Sequence, residues 1–405
     1  MTRRVLMTTT AYPPSIGGVQ GYLADLCARL TQFEPEVVSL WLETRRDWLL
    51  GTTLRLGRRD GTHETGVRQL GWSASTRLRM APWVLGYYGA VTFTGPHIAR
   101  QMAPYLEALV TPDHAVIHTH RIGREFLAQA SLAVARKRNL PFVLSPYHHP
   151  RWKGILYEGW SRVYRAADAL FALTHSEKIA LQRLGVAGDR IHVVYGAGDD
   201  PIPADGSRFV RRAGINAPAL VLFLGQLYEY KGVAQLFAAA ENLHRRGFQF
   251  ALALVGPETS FSRRFLASRA RPWLHVTGAV DNQTKWDALA AATVLCVPSS
   301  QESFGRVYIE AMSVGKPVIG GRIPAVSEVI EDGRTGLLVD PSSAADTERA
   351  LERLLTDPEL RGRLAEAGRR DASQKFSWPR VAERVESAYE SLLVSGNRRS
   401  LGLGT

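Results

Sequence analysis

Val294-Leu295-Cys296-Val297-Pro298-Ser299-Ser300-Gln301-Glu302-Ser303-Phe304-Gly305-Arg306-Val307-Tyr308-Ile309-Glu310-Ala311-Met312 opens with an apolar run that ends at Pro298. A polar loop carrying Glu302 follows, and a helix is expected from Phe304 or Gly305 with Glu310 on its second turn. Free amides at a helix start bind anions. Gly305 lets a backbone approach a ligand closely, and carboxylates accept hydrogen bonds from sugar and ribose hydroxyls. Acidic acceptors on either side of a helix start suit the two ends of a sugar nucleotide. The plain alternative is a helix entry with Glu302 near the N-terminal dipole and Glu310 on a solvated face.

The strand, loop and helix order recurs outward from this segment. Strands are expected at 3–10, 115–117, 142–144, 169–173 and 191–194, then at 219–225, 250–255, 294–298, 317–319 and 336–339. Helices are expected from Val19 to about Leu30, up to about Arg138, at 233–246 and at 378–394. Such alternation predicts parallel sheets wrapped by helices, an α/β class. Tyr195-Gly196-Ala197-Gly198-Asp199-Asp200-Pro201 reads as a linker. The chain therefore divides into a domain at 1–198 and a domain at 199–377, and the last helix, 378–394, is expected to pack back onto the first. Ligands of doubly wound sheets bind at the carboxyl ends of the strands. Gly17-Gly18 and His118-Thr119-His120 fall at such ends.

Taken together these segments resemble the retaining glycosyltransferases of GT-B fold, family 4 (glycosyl transferases group 1) in particular. Pro298–Met312 matches the E-x7-E signature. Gly315-Lys316-Pro317-Val318-Ile319 and Glu328 to Val339 continue the match, as do Gly225-Gln226-Leu227 with Lys231-Gly232, Gly17-Gly18 and His118-Thr119-His120. The resemblance implies two Rossmann-like doubly wound domains facing across a cleft, with the donor held by the C-terminal one. It implies that Lys231 meets the donor diphosphate, Glu302 orients the donor sugar and Glu310 holds the ribose. Gly17, Gly18, Gln226, Ser303, Phe304, Gly305 and Arg306 complete the implied donor site. His120 is implied at the edge of the reaction centre, with His118 as its competitor; His148 and His149 are placed on the acceptor side. The family carries Arg where this chain has Gln226, which removes one cation from the diphosphate; Arg263, Arg264 and Arg306 are candidate replacements.

A retaining glycosidase places a carboxylate nucleophile beside the anomeric carbon, and the N-terminal half offers no well-placed one. The resemblance implies instead a front-face displacement in which the departing phosphate helps deprotonate the acceptor. The chain contains no D-x-D, H-E-x-x-H or Cys/His cluster, so no motif requires a metal. It has no G-x-G-x-x-G after the first strand, which argues against a dinucleotide dehydrogenase.

Charge is uneven. Residues 1–198 hold 24 Lys and Arg against 14 Asp and Glu, net +10; residues 199–405 hold 26 against 24, net +2, and the two sum to +12. Between 42 and 79 lie Arg45, Arg46, Arg55, Arg58, Arg59, Arg68, Arg77 and Arg79, with Trp41, Trp48 and Trp72 interleaved or adjoining. Met80 to Ala99 carries no formal charge and includes Trp83, Tyr87, Tyr88 and Phe93, while Pro82, Gly86, Gly89 and Pro96 argue against one long helix. This pattern fits core packing with a solvated loop, peripheral contact with an anionic membrane, or direct contact with an acceptor. No nucleic-acid partner is expected. Cys27 and Cys296, both in apolar runs, point to a reducing, cytoplasmic setting; the first residues do not form a secretory leader, and no run is long enough to span a bilayer.

The expected function is retaining transfer of a sugar from a UDP- or GDP-sugar to a glycan or lipid-linked acceptor. A second reading keeps the donor and uses a small soluble acceptor, such as a sugar phosphate or natural product. A third is a catalytically weak GT-B scaffold partner, supported by Gln226 alone, and a sugar-nucleotide epimerase is a lesser alternative.

Overall fold

The computed structural model describes residues 3–15, 17–40, 67–148, 154 and 157–400, with side chains to 394. Trp41, Trp48, Arg45, Arg46, Arg55, Arg58, Arg59 and His149 lie outside the described residues. The chain forms two units, Met1–Tyr195 with Trp378–Thr405, and Gly196–Ser377.

Unit one contains strands β1 (Arg3–Thr9), β2 (Phe33–Ser39), β3 (Arg68–Gln69), β4 (His114–His120), β5 (Phe142–Ser145), β6 (Ala169–Ala172) and β7 (Ile191–Val193), ordered β3-β2-β1-β4-β5-β6-β7. Neighbouring strands run parallel. Helices cover such a sheet on both faces, so its strands read as apolar runs rather than alternations. Val5, Leu6, Met7, Val116 and Ile117 are accordingly fully buried. Helices α1 (Gly18–Cys27), α2 (Ala74–Leu85), α3 (Val91–Glu107), α4 (Phe126–Lys137), α5 (Glu158–Ala166) and α6 (His175–Arg183) complete the layers. The uncharged stretch after Met80 forms the end of α2 and the start of α3, with a 3-10 turn at Tyr87–Gly89 between them. Pro82 lies inside α2 and Pro96 inside α3, so the break falls at the glycines and not at the prolines.

Strand β2 is hidden in the sequence because Phe33-Glu34-Pro35-Glu36 interrupts its apolar run. Proline is tolerated where a strand faces no neighbour. β3 pairs with Val38 and Ser39, so among the described residues Pro35 has no partner on the outer side of β2.

Unit two contains β8 (Leu220–Leu224), β9 (Ala251–Val255), β10 (Leu274–Gly278), β11 (Val294–Val297), β12 (Val318–Gly321) and β13 (Leu337–Val339), ordered β10-β9-β8-β11-β12-β13 and likewise parallel. Its helices are α7 (Gly206–Arg212), α8 (Val233–Arg245), α9 (Ser260–Leu266), α10 (Asn282–Ala291), α11 (Arg306–Ser313), α12 (Pro324–Ser327), α13 (Ala344–Thr356) and α14 (Pro358–Lys375). β10 adds a strand beyond those expected. It is the edge strand, none of its residues is fully buried, and Leu274-His275-Val276-Thr277-Gly278 shows no apolar run. Both sheets reverse strand order at one point, between β1 and β4 and between β8 and β11. The connections leave the two neighbouring strands in opposite directions there, and a crevice opens outside their carboxyl ends.

The last helix, α15 (Trp378–Ser400), packs on unit one. Trp378 lies 5.4 Å from the Tyr22 ring, and buried Tyr389 sits between Phe33 and Phe171 at 5.1 and 5.4 Å. Buried Glu386 accepts the backbone N–H groups of Thr31 and Gln32, each at 2.6 Å, and Arg3 pairs with Glu390 at 2.8 Å. Hydrogen bonds to an ionised carboxylate contribute about 1.5–3 kcal/mol. Glu386→Ala is therefore expected to destabilise unit one by about that amount, read as a lower urea midpoint and faster hydrogen exchange at the Thr31 and Gln32 amides. An unchanged midpoint would show that the aromatic contacts alone dock the helix.

Candidate active site

In unit two the site is built by the two loops at the strand-order reversal. β8 leads into Gly225 and Gln226, then a 3-10 turn at Glu229–Lys231, then Gly232 in the left-handed region at φ 80° at the start of α8. A Cβ on Gly232 would stand 2.4 Å from the Pro298 carbonyl oxygen, so only glycine lets this turn reach the loop after β11. Ser300 N–H donates to the Tyr230 carbonyl at 2.8 Å and fixes the approach. The result is an ion pair, Lys231 Nζ to Glu302 Oε1 at 2.5 Å, with side chains 20% and 10% exposed.

The second loop enters α11 through Gly305, whose φ of 96° again requires glycine. Tyr308 pins the helix to β11 by donating its buried hydroxyl to the Val297 carbonyl at 2.7 Å. Glu310, on the second turn, is 7% exposed. Its Oε1 accepts the Asp199 N–H at 3.3 Å and lies 3.5 Å from Lys285 Nζ. Asp199 in turn pairs with both Lys285 and Arg306. Burial pushes the Glu310 carboxyl above the usual range; Lys285 draws it back, Asp199 raises it further and Arg306 lowers it.

The remaining unit-two residues divide. Phe304 is buried and packs edge-on against Phe376 at 5.8 Å, while Ser303 is half-buried beside it. Gln226 is half-buried and its side-chain amide has no hydrogen-bond partner among the described residues. Of its candidate substitutes, Arg306 is engaged by Asp199, and Arg263 and Arg264 are exposed on α9, where Arg264 donates to its own helix at Ser260.

In unit one, β4 carries both histidines on one side. His118 is spent on structure: Nδ1 meets the Tyr389 hydroxyl at 2.5 Å and Nε2 the Ser145 hydroxyl at 2.9 Å. His120 Nδ1 meets the Tyr147 hydroxyl at 2.7 Å, but its Nε2 is buried with no partner among the described residues. A buried polar atom left without a partner calls for an explanation, a ligand among them. Tyr147 adopts φ 43°, an uncommon backbone for a bulky side chain and one that clusters at functional sites. Burial pushes the His120 ring down to about 3 and the His118 ring well below its usual value, with His120 adding to the latter; the rings lie 4.2 Å apart. Both are neutral, and Tyr147 sets whether Nε2 of His120 presents an N–H or a lone pair.

Gly17 is the extended residue before α1, and a Cβ there would meet Gln20 Oε1 at 2.2 Å; nothing lies within 4 Å of one on Gly18. The His148 N–H donates to the buried Glu177 carboxylate at 2.5 Å, and the same carboxylate accepts the Leu173 N–H at 2.7 Å, which ties the ends of β5 and β6 together. Among the described residues no group of three or more His, Cys, Asp or Glu could hold a metal ion.

Lys285 and the role of Asp199 are invisible in the sequence. Each is one charge with no motif around it, and α10 delivers Lys285 from 25 residues before Glu310. Tyr147 and Tyr389, which decide between the two histidines, are equally hidden; Tyr389 reaches His118 from 271 residues away.

Two family models match the chain: a glycosyl transferase 4-like domain over residues 17–197, which covers most of unit one and ends two residues past Tyr195, and glycosyl transferases group 1 over residues 209–371, inside unit two. The chain is 32% identical over 304 residues to a D-inositol 3-phosphate glycosyltransferase of Xylanimonas cellulosilytica, covering 68% of this chain and 71% of that one. It is 29% identical over 237 residues to an alpha-D-kanosaminyltransferase of Streptomyces kanamyceticus, a match that takes in 56% of this chain and 61% of the relative. Among solved structures, Anabaena HepE in complex with UDP and glucose superposes with a TM-score of 0.71 over 96% of this chain and all of that one, at 16% identity.

The neutral histidines make acid stability a test of the unit-one geometry. The unfolded chain takes up a histidine proton near pH 6.5, the folded chain at His120 only near pH 3. Unfolding therefore binds protons throughout that interval, and the stabilisation, complete above pH 6.5, is lost as pH falls toward 3 at about 1.4 kcal/mol per pH unit per histidine. His120→Gln is expected to flatten this slope by about one histidine's share, measured by urea unfolding between pH 7 and pH 4. A slope equal to that of the unaltered chain would mean that His120 is charged or solvated.

Proposed function

The chain belongs to the glycosyl transferases group 1, with the GT-B fold of two parallel-sheet Rossmann-like units, and from that premise we propose retaining transfer of a sugar from a UDP- or GDP-sugar to a glycan or lipid-linked acceptor. The observation that carries this reading is the Lys231–Glu302 pair at the β8 and β11 strand ends, one helical entry away from Glu310.

In this reading the acceptor hydroxyl oxygen forms a bond to the anomeric carbon while the bond from that carbon to the diphosphate oxygen breaks on the same face. The acceptor proton passes to the departing phosphate. Lys231 meets the charge that develops on the leaving group, an electrostatic contribution realised in the transition state. Glu302, released from Lys231 by the entering diphosphate, accepts from a sugar hydroxyl, and Glu310 accepts from the ribose. The free amides at the start of α11 add partial positive charge toward the phosphates. In unit one, neutral His120 offers Nε2 to a sugar hydroxyl. Lys231 and these amides supply the compensating charge, so the reaction is proposed to run without a metal. Bound UDP and glucose in the Anabaena structure support the UDP arm.

The second reading, a small soluble acceptor, is favoured by the Xylanimonas relative, which is named for D-inositol 3-phosphate. An acceptor screen that compares soluble sugar phosphates with lipid-linked sugars separates the two.

Thermal shifts with UDP, GDP and their sugar conjugates, in EDTA and again with magnesium, test the donor site. One nucleotide is expected to raise the melting temperature equally in both buffers, and Glu310→Ala is expected to abolish the shift. No shift with any nucleotide in a folded sample would overturn the reading. Lys231→Ala is expected to lower kcat by about 10²–10³, the range for loss of one transition-state donor, with the anomeric configuration of the product read by NMR. Gln226→Arg, which restores the family's cation, is expected to lower the Kd for the donor several-fold; an unchanged Kd would show that position 226 does not face the diphosphate.

A further inference from the structure

Between Val67 and Leu106 the chain holds four arginines, Arg68, Arg77, Arg79 and Arg100, and no acidic residue. The same stretch exposes four large apolar side chains: Leu78 at 75%, Leu85 at 72%, Phe93 at 59% and Tyr88 at 55%. On α2 the buried residues are Thr76, Met80 and Val84, spaced four apart and facing the core. Leu78, Pro82 and Leu85 recur at i, i+4 and i+7 on the opposite face, and all three are exposed. A surface helix of a globular domain puts polar residues there; the exposed face of α2 instead sets these three beside Ser75 and Arg79. An apolar cluster of this kind, bordered by charge, marks an interaction surface.

The neighbouring segment extends this surface and holds it rigid. Phe93 packs against Trp83 at 5.9 Å and His97 at 4.7 Å, and Trp83 stacks on His97 at 4.2 Å. Tyr88 accepts a hydrogen bond from Arg124 at 2.8 Å. Its neighbour Tyr87 is fully buried and its hydroxyl lies 2.9 Å from both oxygens of the fully buried Glu125. Arg124 and Glu125 follow His120 by four and five residues, so this ledge is anchored to the strand end that carries His120.

We propose that the outer face of α2, the turn after it and the start of α3 seat on an anionic lipid bilayer beside the acceptor side of unit one. Leucine and aromatic side chains enter the headgroup boundary, and the arginines reach phosphate while their stems stay apolar. Charge decides between occupants. Arg68 is already paired with Glu36 at 3.4 Å, but a second copy would still bring exposed Arg79 and Arg100 against their own counterparts with no acidic residue between Val67 and Leu106 to offset them, which like-charge juxtaposition disfavours, whereas each arginine near an anionic surface strengthens binding. The proposal deepens the lipid-linked acceptor reading, but its test does not depend on transfer.

The test is co-sedimentation of the full chain with phosphatidylcholine vesicles, with and without phosphatidylglycerol, at low and at physiological salt. Binding is expected to the anionic vesicles and to weaken with salt. Leu78→Glu with Leu85→Glu is expected to weaken it by about tenfold or more, and Arg77→Gln with Arg79→Gln to weaken it and reduce its salt dependence. Circular dichroism and the nucleotide thermal shift, expected to be unchanged, certify that the variants fold. Failure of the unaltered chain to bind anionic vesicles at low salt would overturn the proposal, as would variants that bind like it. A concentration-dependent dimer in sedimentation velocity, abolished by the leucine variants, would reassign the surface to contact between copies. A nucleotide shift without vesicle binding would leave the donor reading standing and sink this one alone.

Discussion

The 2.4 Å that would separate a Gly232 Cβ from the Pro298 carbonyl is a contact no side chain could make, and the geometry of the candidate site in unit two depends on it. The same device recurs along these strand ends. A Cβ on Gly256 would meet the Gly225 carbonyl oxygen at 2.1 Å, and one on Gly321 would meet that of Ser299 at 2.0 Å. Where the strand order reverses, the loops that leave two neighbouring parallel strands run off in opposite directions. Here glycines bring those loops back together, backbone against backbone. The approach sets Lys231 against Glu302, and the left-handed Gly305 then turns the chain into α11 so that Glu310 follows on the same helix.

Charge around Glu302 and Glu310 gathers at two stations. At one, a single lysine faces Glu302. At the other, Lys285 and Arg306 face Asp199 and the buried Glu310, so two cations meet two carboxylates. A buried carboxylate stays ionised only where cations and hydrogen bonds offset its desolvation. Lys285, Arg306 and the Asp199 amide offset part of that cost for Glu310, whose carboxyl is still held above the usual range by burial, while Asp199 holds Arg306 as well. Arg306 is thus spoken for, and it does not make good the cation missing at Gln226 while that pair is intact. The chain pairs its Lys231 with Glu302 at 2.5 Å. In the proposed reading a diphosphate competes with that carboxylate for the lysine, so that donor binding exchanges one partner of Lys231 for another and frees Glu302 to accept from hydroxyls.

Much of this was legible in the sequence because parallel strands buried on both faces are continuous apolar runs. Leu220–Leu224, Ala251–Val255 and Val294–Val297 announce themselves. Strands that lie at an edge do not: β10 is half-buried and mixed, and β2 carries Pro35 where, among the described residues, its outer side has no partner. The site was legible where a motif is compact, as across Glu302, Gly305 and Glu310. It was illegible where the fold brings single residues together from afar. Asp199, Lys285, Tyr147 and Tyr389 each contribute one polar group with no local pattern, and only packing reveals that His118 is consumed while His120 is not. The two histidines share a strand face and a sequence context, so nothing short of their partners separates them.

That distinction bears on where the acceptor proton goes. A general base works best with a pKa near the working pH. Burial holds His120 near 3, and a protonated ring would lie 4.2 Å from His118 in the same apolar setting. A base that weak removes a negligible fraction of protons from a sugar hydroxyl at neutral pH. His120 is suited instead to presenting a neutral hydrogen-bonding edge, which orients a hydroxyl without adding charge to a unit that already carries net +10 over residues 1–198. Unless a carboxylate reaches the acceptor, the strongest base present at the moment of transfer is the departing phosphate oxygen, which gains negative charge as the bond to the sugar breaks. In the proposed reading the depressed basicity of His120 favours proton transfer to the leaving group on the face of attack, and with it retention of configuration.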